Sequence, residues 1–221
     1  MLESDHEVAV KVCGVTSAAD ALACAEAGVD IIGLNFSPLS VRCILPEAAT
    51  RIAAPVRARF PRIKFVGIFV NQELEFVRRI ALDLPLDAVQ LHGEETPDYV
   101  REIDLPFVIK ALRVGSGRTK VDAGSYSSHA ILLDTWSGTS PGGTGETFPW
   151  SLAAAVRPQV KYLILAGGLT SENVAAAIRA VRPDAVDACS GAEAAPGQKD
   201  REKVRKFVEN VRAVEGLDPS R

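Results

Sequence analysis

Short apolar runs alternate with amphipathic segments along the whole chain. Eight runs are almost continuously apolar, at residues 8–13, 30–36, 64–70, 88–91, 107–112, 130–134, 162–166 and 185–188. A strand with one face in water alternates apolar and polar residues, whereas a strand of a parallel sheet is buried on both faces and is apolar throughout. The pattern therefore predicts eight strands of a parallel sheet.

Helix signals occupy the segments between these runs. Ser17 and Asp20 form a capping-box pattern, and Pro46 suits the first turn of the next helix. A further helix is predicted to begin near Ser171, because apolar residues follow it at helical spacing. The last helix carries an apolar stripe at i, i+3, i+4 and i+7, formed by Val204, Phe207, Val208 and Val211. Such stripes are typical of helices that pack against a sheet.

Eight strand-then-helix units without a linker predict a closed barrel of the α/β class. The 221 residues give about 28 per unit, near the lower size limit of a (β/α)8 TIM barrel. We therefore expect a single barrel domain over residues 1–221. The alternative is an open doubly wound sheet with an appendage. Such a sheet of the dinucleotide-binding type carries Gly-x-Gly-x-x-Gly after an early strand, and the first strand here is not followed by it.

Composition and charge narrow the choice of partners. With 47% hydrophobic and 24% charged residues the chain can bury a large core. The net charge of −3 and the absence of a basic block argue against a nucleic-acid partner. No apolar run reaches the ~18 residues of a membrane span. The start of the chain is acidic where a signal peptide would be basic, so we expect a cytoplasmic protein with a small-molecule ligand and no membrane partner.

The four cysteines, at positions 13, 24, 43 and 189, are scattered. Because they form no Cys-x-x-Cys pair and have no histidine at ligand spacing, the sequence predicts neither a metal site nor a disulfide framework. Cys24 lies in a predicted helix and reads as a small buried hydrophobe.

In a barrel of this kind, function resides at the carboxyl ends of the strands. Lys11 and Cys13 share one face of the first strand, so the thiol should face the barrel mouth. A functional thiol must be partly ionised, and Lys11 is a candidate cation for that purpose. The alternative is a buried cysteine beside a paired or solvated lysine.

Asp134 follows three aliphatic residues of the sixth strand, where an unpaired carboxylate is costly to bury. It could instead cap a helix or bond a loop. A long loop, residues 135–149, comes next and contains Gly138, Gly142, Gly143 and Gly145. Loops of this length and composition are typically active-site lids or disordered segments, and we predict a lid.

Glycines follow the last two strands. Gly167 and Gly168 end the seventh strand, and Ser190 and Gly191 follow the eighth. Glycines let the backbone approach a ligand, and this fold commonly binds phosphate after these strands, so we predict a phosphate site here.

Two further polar residues follow strands two and four. Arg42 could bind a planar carboxylate through two hydrogen bonds, or could simply be exposed. His92 could orient loops or contact a ligand, and we assign it no catalytic role.

Taken in chain order, these strand ends resemble phosphoribosylanthranilate isomerase, a barrel enzyme of tryptophan biosynthesis. The matching segments are Lys-Val-Cys-Gly-Val-Thr from Lys11, Ser-Val-Arg from Ser40, Val-Gly-Ile-Phe-Val-Asn from Val66, Val-Gln-Leu-His-Gly-Glu-Glu from Val89, Leu-Leu-Asp-Thr from Leu132, Gly-Gly-Thr-Gly from Gly142, Ala-Gly-Gly-Leu from Ala166 and Val-Asp-Ala-Cys-Ser-Gly from Val186, followed by Gly197, Lys199 and Asp200.

The resemblance implies an Amadori rearrangement of N-(5-phosphoribosyl)anthranilate to the 1-deoxyribulose phosphate, without metal or organic cofactor. It also implies a role for each strand-end group. Asp134 matches the general acid that protonates the ring oxygen, and Cys13 the general base that removes the C2′ proton. Arg42 matches the residue that binds the anthranilate carboxylate. Asp187 is expected to contact the substrate, and the phosphate cradle matches Gly167, Gly168, Ser190 and Gly191. A monomer or a homodimer is expected.

Several positions depart from the family pattern. They are Asn35, Leu39, Val41 and Cys43 near the second strand, Glu146 and Pro149 in the lid, and Cys189, which replaces a serine in the phosphate loop. These changes bear on affinity and lid motion more than on the reaction.

Alternative functions are weighed against this one. A ketol isomerase of histidine biosynthesis, or a dual-substrate enzyme, would carry an aspartate in place of Cys13, so the thiol argues against both. A Schiff-base aldolase would use Lys11 or Lys110 as its nucleophile. A phosphate-binding barrel that has lost catalysis is the third.

Overall fold

The computed structural model describes residues 7–115, 122–135 and 149–215. Eight parallel strands pair there in chain order, and the eighth pairs with the first, which closes a barrel. The strands are β1 Ala9–Val12, β2 Ile31–Asn35, β3 Lys64–Phe69, β4 Ala88–Leu91, β5 Val108–Val114, β6 Ala130–Thr135, β7 Leu163–Leu165 and β8 Ala185–Ala188. The predicted (β/α)8 barrel is confirmed, and the open sheet is wrong.

Each predicted run overlaps one strand, and two of the runs match β4 and β8 to the residue. The largest difference is at β5, which extends to Val114 and not to residue 112. The reason is tertiary, because Arg113 and Val114 pair with Asp134 and Thr135 of β6. Ladder partners on a neighbouring strand lengthen a strand beyond its apolar run.

The α-helices of the described residues pack around the barrel. They are α1 Ala18–Glu26, α2 Pro46–Arg59, α3 Leu74–Asp83, α4 Pro97–Glu102, α5 Trp150–Val156, α6 Val174–Val181 and α7 Arg201–Glu215. The Ser17 hydroxyl accepts a hydrogen bond from the Asp20 N–H at 3.1 Å, and Pro46 opens α2, both as predicted. The predicted stripe of α7 is buried. A short antiparallel hairpin, β9 Glu193–Ala195 with β10 Gln198–Lys199, lies between β8 and α7.

Two helix predictions need correction. The helix expected near Ser171 begins at Val174, because the Thr170 N–H donates to the Asn173 side chain at 2.9 Å and residues 170–173 form a turn. The helix expected between β5 and β6 is, in the described part of that connection, a single 3-10 turn at Ala123–Ser125. No described helix is long and apolar enough to cross a bilayer.

Side-chain alternation along the strands divides the core into two layers. Residues on the outer face of the strands pack against the helices and form the larger cluster. The inner face fills the lower barrel with small and branched residues, namely Ala9, Ile31, Val66, Ala88, Ile109, Ala111, Ala130, Leu132, Ile164, Ala166 and Ala185. The barrel is therefore packed and is not a pore, as expected of this fold. Towards the carboxyl ends the inward positions become polar, at Lys11, Gln90, Asp134 and Asp187.

Lys110 lies on the other face of β5. It alternates with the inward Ile109 and Ala111, so its side chain points away from the barrel interior. The ammonium donates to the Gly93 carbonyl and to the Glu95 carboxylate, both at 2.7 Å. Glu95 in turn accepts the Asn71 N–H at 2.8 Å. This buried ion pair joins the loops after β3 and β4 to β5.

We expect Lys110→Met to lower the free energy of unfolding by about 3–5 kcal/mol, because it leaves the Glu95 carboxylate buried without its cation. Urea unfolding followed by circular dichroism measures the change. Lys110→Met combined with Glu95→Gln should recover much of the loss. The matched surface variant Arg59→Ala, whose partner Glu26 is exposed, should change stability by less than about 1 kcal/mol. Equal losses for the single and double Lys110 variants would contradict this account.

Candidate active site

A cleft opens at the carboxyl ends of the strands. Seven of the eight site residues predicted from the sequence line it, namely Cys13, Arg42, Asp134, Gly167, Gly168, Asp187 and Ser190. Gly191 lines a second cavity that shares Gly168 and Ser190 with the first. The barrel thus brings together groups from β1, β6, β7, β8 and the loop after β2.

Cys13 lies at the mouth of the barrel, one residue beyond β1. Its N–H donates to the Ala188 carbonyl at 2.9 Å, which continues the β1–β8 ladder. Gly33 on β2 leaves room for the thiol, since a β-carbon there would stand 3.2 Å from the Cys13 sulfur. The Cys13 side chain is half-buried and faces the cleft.

The surroundings of Cys13 favour its thiolate. A hydrogen bond from Cys189 lowers the pKa of Cys13 well below the usual thiol value, and the cations of Lys11 and Lys199 act in the same direction against the effect of burial. Cys189 keeps its proton, because donating to Cys13 and being buried both raise the pKa of Cys189.

An ion pair lies beneath the thiol. The Lys11 ammonium donates to the Asp187 carboxylate at 2.6 Å, and both groups are buried. Burial by itself lowers the pKa of Lys11, but Asp187 outweighs it and the pKa is raised. The second carboxylate oxygen of Asp187, Oδ1, is buried and has no hydrogen-bond partner among the described residues. A donor from a ligand in the cleft would satisfy it.

Asp134 stands on β6. Its carboxylate accepts the Thr135 N–H at 2.8 Å and contacts His92 Nε2 at 3.1 Å. The Gln90 amide lies 2.7 Å from His92 Nδ1. With that nitrogen as the acceptor, Nε2 carries the proton and donates to Asp134. No local sequence pattern indicates this contact, because His92 and Asp134 are 42 residues apart.

Arg42 is not simply exposed, which was one of the two possibilities for its loop position. Its Nε and Nη2 groups donate to the two oxygens of Glu193 at 2.8 and 2.6 Å. Glu193 also accepts from Lys199 at 2.8 Å and from the Gly197 N–H at 3.2 Å. Burial alone would raise the pKa of Glu193, but the hydrogen bonds from Arg42 and Lys199 lower it.

Glu193 was missed by sequence reasoning. It lies in the short hairpin after β8, where no periodic pattern marks it, and its partner Arg42 is 151 residues away in the chain. The one local signal that could have indicated Glu193 is its acidic side chain six positions before Lys199, in the segment that follows the phosphate loop.

The glycines after β7 and β8 have backbone reasons to be glycine. Gly167 and Gly168 have φ values of +84° and +65°, which disfavour residues with a side chain. A β-carbon on Gly191 would clash with the Leu169 carbonyl. The second cavity is also lined by Thr170, Ser171, Glu172 and Lys203, so the two loops, one carboxylate and one cation surround it. Since α6 begins only at Val174, its N-terminus lies three residues further along the chain than expected.

The family departures fall in different places. The Asn35 side chain accepts the Ser37 N–H at 2.8 Å and so shapes the loop after β2. Leu39, Val41 and Cys43 are exposed, and Leu39 lines the cleft. Pro149 precedes α5 directly. Glu146 and the glycines of the predicted lid lie outside the described residues, so the lid stays a prediction.

The described residues contain no cluster of three or more histidine, cysteine or acidic side chains that could hold a metal ion. Neither lysine considered as a Schiff-base nucleophile lines the cleft in the described part of the chain. Lys11 is paired beneath it, and Lys110 points away from it.

Comparison with known proteins gives a consistent result. A family model described as N-(5′-phosphoribosyl)anthranilate (PRA) isomerase matches residues 10–210. The N-(5′-phosphoribosyl)anthranilate isomerase of Trichlorobacter lovleyi is 45% identical over 205 residues, 93% of this chain and 98% of its own length.

Two solved structures are similar over 95% of this chain and 100% of their own, each with 42% identity. One shows monomers of the dimeric phosphoribosylanthranilate isomerase from Thermotoga maritima, with a TM-score of 0.82. The other is a phosphoribosyl anthranilate isomerase in complex with reduced 1-(o-carboxyphenylamino)-1-deoxyribulose 5-phosphate, with a TM-score of 0.81.

We expect iodoacetamide to label Cys13 at a lower pH than Cys43. Burial raises the pKa of Cys43, whereas the pKa of Cys13 is lowered, so at neutral pH Cys13 should react at least roughly tenfold faster despite its smaller exposure. Mass spectrometry of the labelled peptides across a pH series measures both rates. Cys189→Ala removes the donor to Cys13 and should move its labelling midpoint to higher pH. An unchanged midpoint would contradict the assigned cause.

Proposed function

The chain belongs to the N-(5′-phosphoribosyl)anthranilate isomerase family, aldose–ketose isomerases of tryptophan biosynthesis. We propose that it isomerises N-(5′-phosphoribosyl)anthranilate with Cys13 as the general base and Asp134 as the general acid. The observation that carries the proposal is their arrangement. The Cys13 thiol, one residue beyond β1, and the Asp134 carboxylate on β6 line the same cleft. General acid–base catalysis of this kind needs one group that donates a proton and another that accepts one.

Asp134 is suited to the first step. Protonation of the furanose ring oxygen opens the sugar to a Schiff base with the anthranilate nitrogen. His92 contacts Asp134 at 3.1 Å and Gln90 orients His92, so the carboxyl group is held in one rotamer at the cleft wall. In our proposal His92 is a positioning residue. Asp134 takes up a proton from solvent before the step, and this proton passes from its carboxyl group to the ring oxygen.

Cys13 is suited to the second step. Its thiolate removes the C2′ proton of the Schiff base, which gives an enolamine that rearranges to the ketone. The thiolate must be present before substrate binds, and the Cys189 hydrogen bond and the Lys11 cation supply that condition. In this proposal Asp134 gives one proton and Cys13 takes the other.

Arg42 is proposed to bind the anthranilate carboxylate with Glu193 as its positioning residue. Glu193 occupies the Nε–Nη2 edge of the guanidinium, which leaves the Nη1 side outside this ion pair. A planar guanidinium can accept a second carboxylate along another edge. A fixed fork of this kind loses less side-chain entropy on binding than a free arginine would.

The remaining contacts are assigned to the ribose and the phosphate. Asp187 Oδ1, buried without a partner among the described residues, would accept a hydrogen bond from a ribose hydroxyl. The backbone at Gly167, Gly168, Ser190 and Gly191 would hold the phosphate, because these residues line the adjoining cavities at the ends of β7 and β8. Lys203 lines the second cavity with its ammonium bonded to the Glu193 carbonyl, and Glu172 lines the same cavity, so the phosphate would rely mainly on backbone N–H groups.

Three wider assignments belong to the same proposal. A monomer or a homodimer of the chain would carry the activity, and the dimeric relative from Thermotoga maritima favours the homodimer. Residues 1–221 would form one domain, and the protein would work in the cytoplasm.

The Schiff-base aldolase is disfavoured, since Lys11 is held as a cation by Asp187 and Lys110 lies on the outer face of β5.

Replacing Cys13 or Asp134 with alanine should lower kcat by roughly 10²- to 10⁴-fold, because each removes one proton-transfer group. Loss of the substrate's fluorescence in steady-state assays measures the rate. Cys43→Ala, at an exposed cysteine, should keep wild-type turnover. A wild-type rate in either catalytic variant would refute the roles assigned here, and tight analogue binding without turnover by the wild type would favour the non-catalytic barrel.

Glu193→Gln should raise KM for the substrate by roughly tenfold, a loss of about 1.4 kcal/mol in binding, with a smaller change in kcat. The physical reason is a guanidinium that is no longer held in place. A substrate analogue made from aniline, which lacks the carboxylate, separates positioning from general damage. Wild type and Glu193→Gln should handle this analogue equally well, and Arg42→Lys should behave like Glu193→Gln on both substrates. An equal loss on the analogue would mean that Glu193 acts only on stability.

A further inference from the structure

Two thiols lie side by side where the barrel closes. β1 and β8 pair in parallel with Val12 opposite Ala188, and the ladder continues with the Cys13 N–H donating to the Ala188 carbonyl. Cys13 and Cys189 directly follow this last pair. Neighbouring strands are about 4.8 Å apart. This spacing lies within the range of Cα separations that a disulfide bridges, about 4.4–6.8 Å.

The side chains also point the same way. Lys11 and Asp187 are ladder partners two residues earlier, and they meet inside the barrel at 2.6 Å. Side chains two residues apart on a strand share a face, so Cys13 and Cys189 continue this inward row. Both thiols are free, both are half-buried, and both line the cleft. Small solutes that enter the cleft therefore reach both.

We propose that Cys13 and Cys189 are a thiol pair that hydrogen peroxide converts to a disulfide, which reversibly switches off the isomerase. The inhibition rests on the proposed role of Cys13 as the base. The disulfide itself does not, because it depends only on the position and reactivity of the two sulfurs.

The chemistry balances with peroxide as the oxidant. The Cys13 thiolate attacks one peroxide oxygen, an S–O bond forms, the O–O bond breaks, and hydroxide leaves as water after taking a proton. The Cys189 thiolate then attacks the Cys13 sulfenic acid, an S–S bond forms, and the S–O bond breaks with loss of a second water. Two thiols are oxidised by two electrons in total, and peroxide is reduced to two waters.

The environment assigns the order of the two sulfurs. Cys13 is the thiolate and attacks first. Cys189 keeps its proton mainly because it donates to Cys13, and Lys199 and Arg42 favour its ionisation. Once Cys13 is a neutral sulfenic acid, that restraint is lost and Cys189 becomes the resolving thiol. The other two cysteines do not compete at this position, since Cys24 is a buried residue of α1 and Cys43 is on the exposed loop after β2.

The test oxidises the full-length protein with hydrogen peroxide and measures bond formation and activity separately. Non-reducing peptide mapping should show a Cys13–Cys189 linkage and an intact mass lower by two hydrogen atoms. Activity should fall by roughly 10²-fold, the contribution of a general base, in step with the linkage. Dithiothreitol should restore both. A bound reduced product analogue should slow the reaction, because both thiols face the cleft.

Cys189→Ser and Cys43→Ser are the matched controls, each compared with its own untreated rate. Cys43→Ser should oxidise, lose activity and recover as the wild type does. Cys189→Ser cannot form the bond, so prolonged peroxide should take Cys13 to the sulfinic acid, which dithiothreitol does not reverse. Identical recovery of wild type and Cys189→Ser, or Cys13 sulfinic acid without a linkage in the wild type, would overturn the proposal. A linkage that forms without loss of activity would instead leave the thiol pair standing and reject Cys13 as the base.

Discussion

The pairing of β1 with β8 is the constraint on which the rest of the structure depends. Four register pairs join the first and last strands of the barrel and convert an eight-stranded sheet into a closed cylinder. Closure puts residues from opposite ends of the chain face to face, which no local signal could do. Lys11 meets Asp187 inside the barrel, and Cys13 meets Cys189 at its mouth. The same register that completes the hydrogen-bond ladder therefore assembles one side of the active site.

Buried charge is the second organising feature. An ion removed from water is costly unless a partner and further hydrogen bonds compensate it. Three buried carboxylates among the described residues at this end of the barrel pair with cations, although Asp187 keeps one oxygen without a hydrogen-bond partner there. Lys11 and Asp187 form a pair within the barrel, Lys110 and Glu95 join loops to the outer face of β5, and Glu193 accepts from Arg42 and Lys199. The first and last of these pairs line or support the cleft. The cations of these pairs, Lys11 and Lys199, are held near Cys13 and stabilise its thiolate.

The proposed acid and base lie in different surroundings. Cys13 has two lysines near it and a donor thiol beside it, all of which favour its anion. Asp134 contacts a histidine and a backbone N–H and lies on the far wall of the cleft. A small barrel has few residues to spare for loops, so single side chains carry several duties. Lys199, for example, binds Glu193 and also acts on the Cys13 thiolate from the hairpin after β8.

The sequence by itself determined the strands, the class of fold and the polar groups at the strand ends. Periodicity and apolar runs reveal which face of an element is buried, because that information lies within a few neighbouring residues. Partners were decided only by the tertiary structure. Glu193 with Arg42, His92 with Asp134, the outward face of Lys110 and the late start of α6 all depend on contacts between distant segments. The strand pattern predicts that Cys13 faces the mouth of the barrel. The pairing of β1 with β8 places the Cys189 thiol beside it.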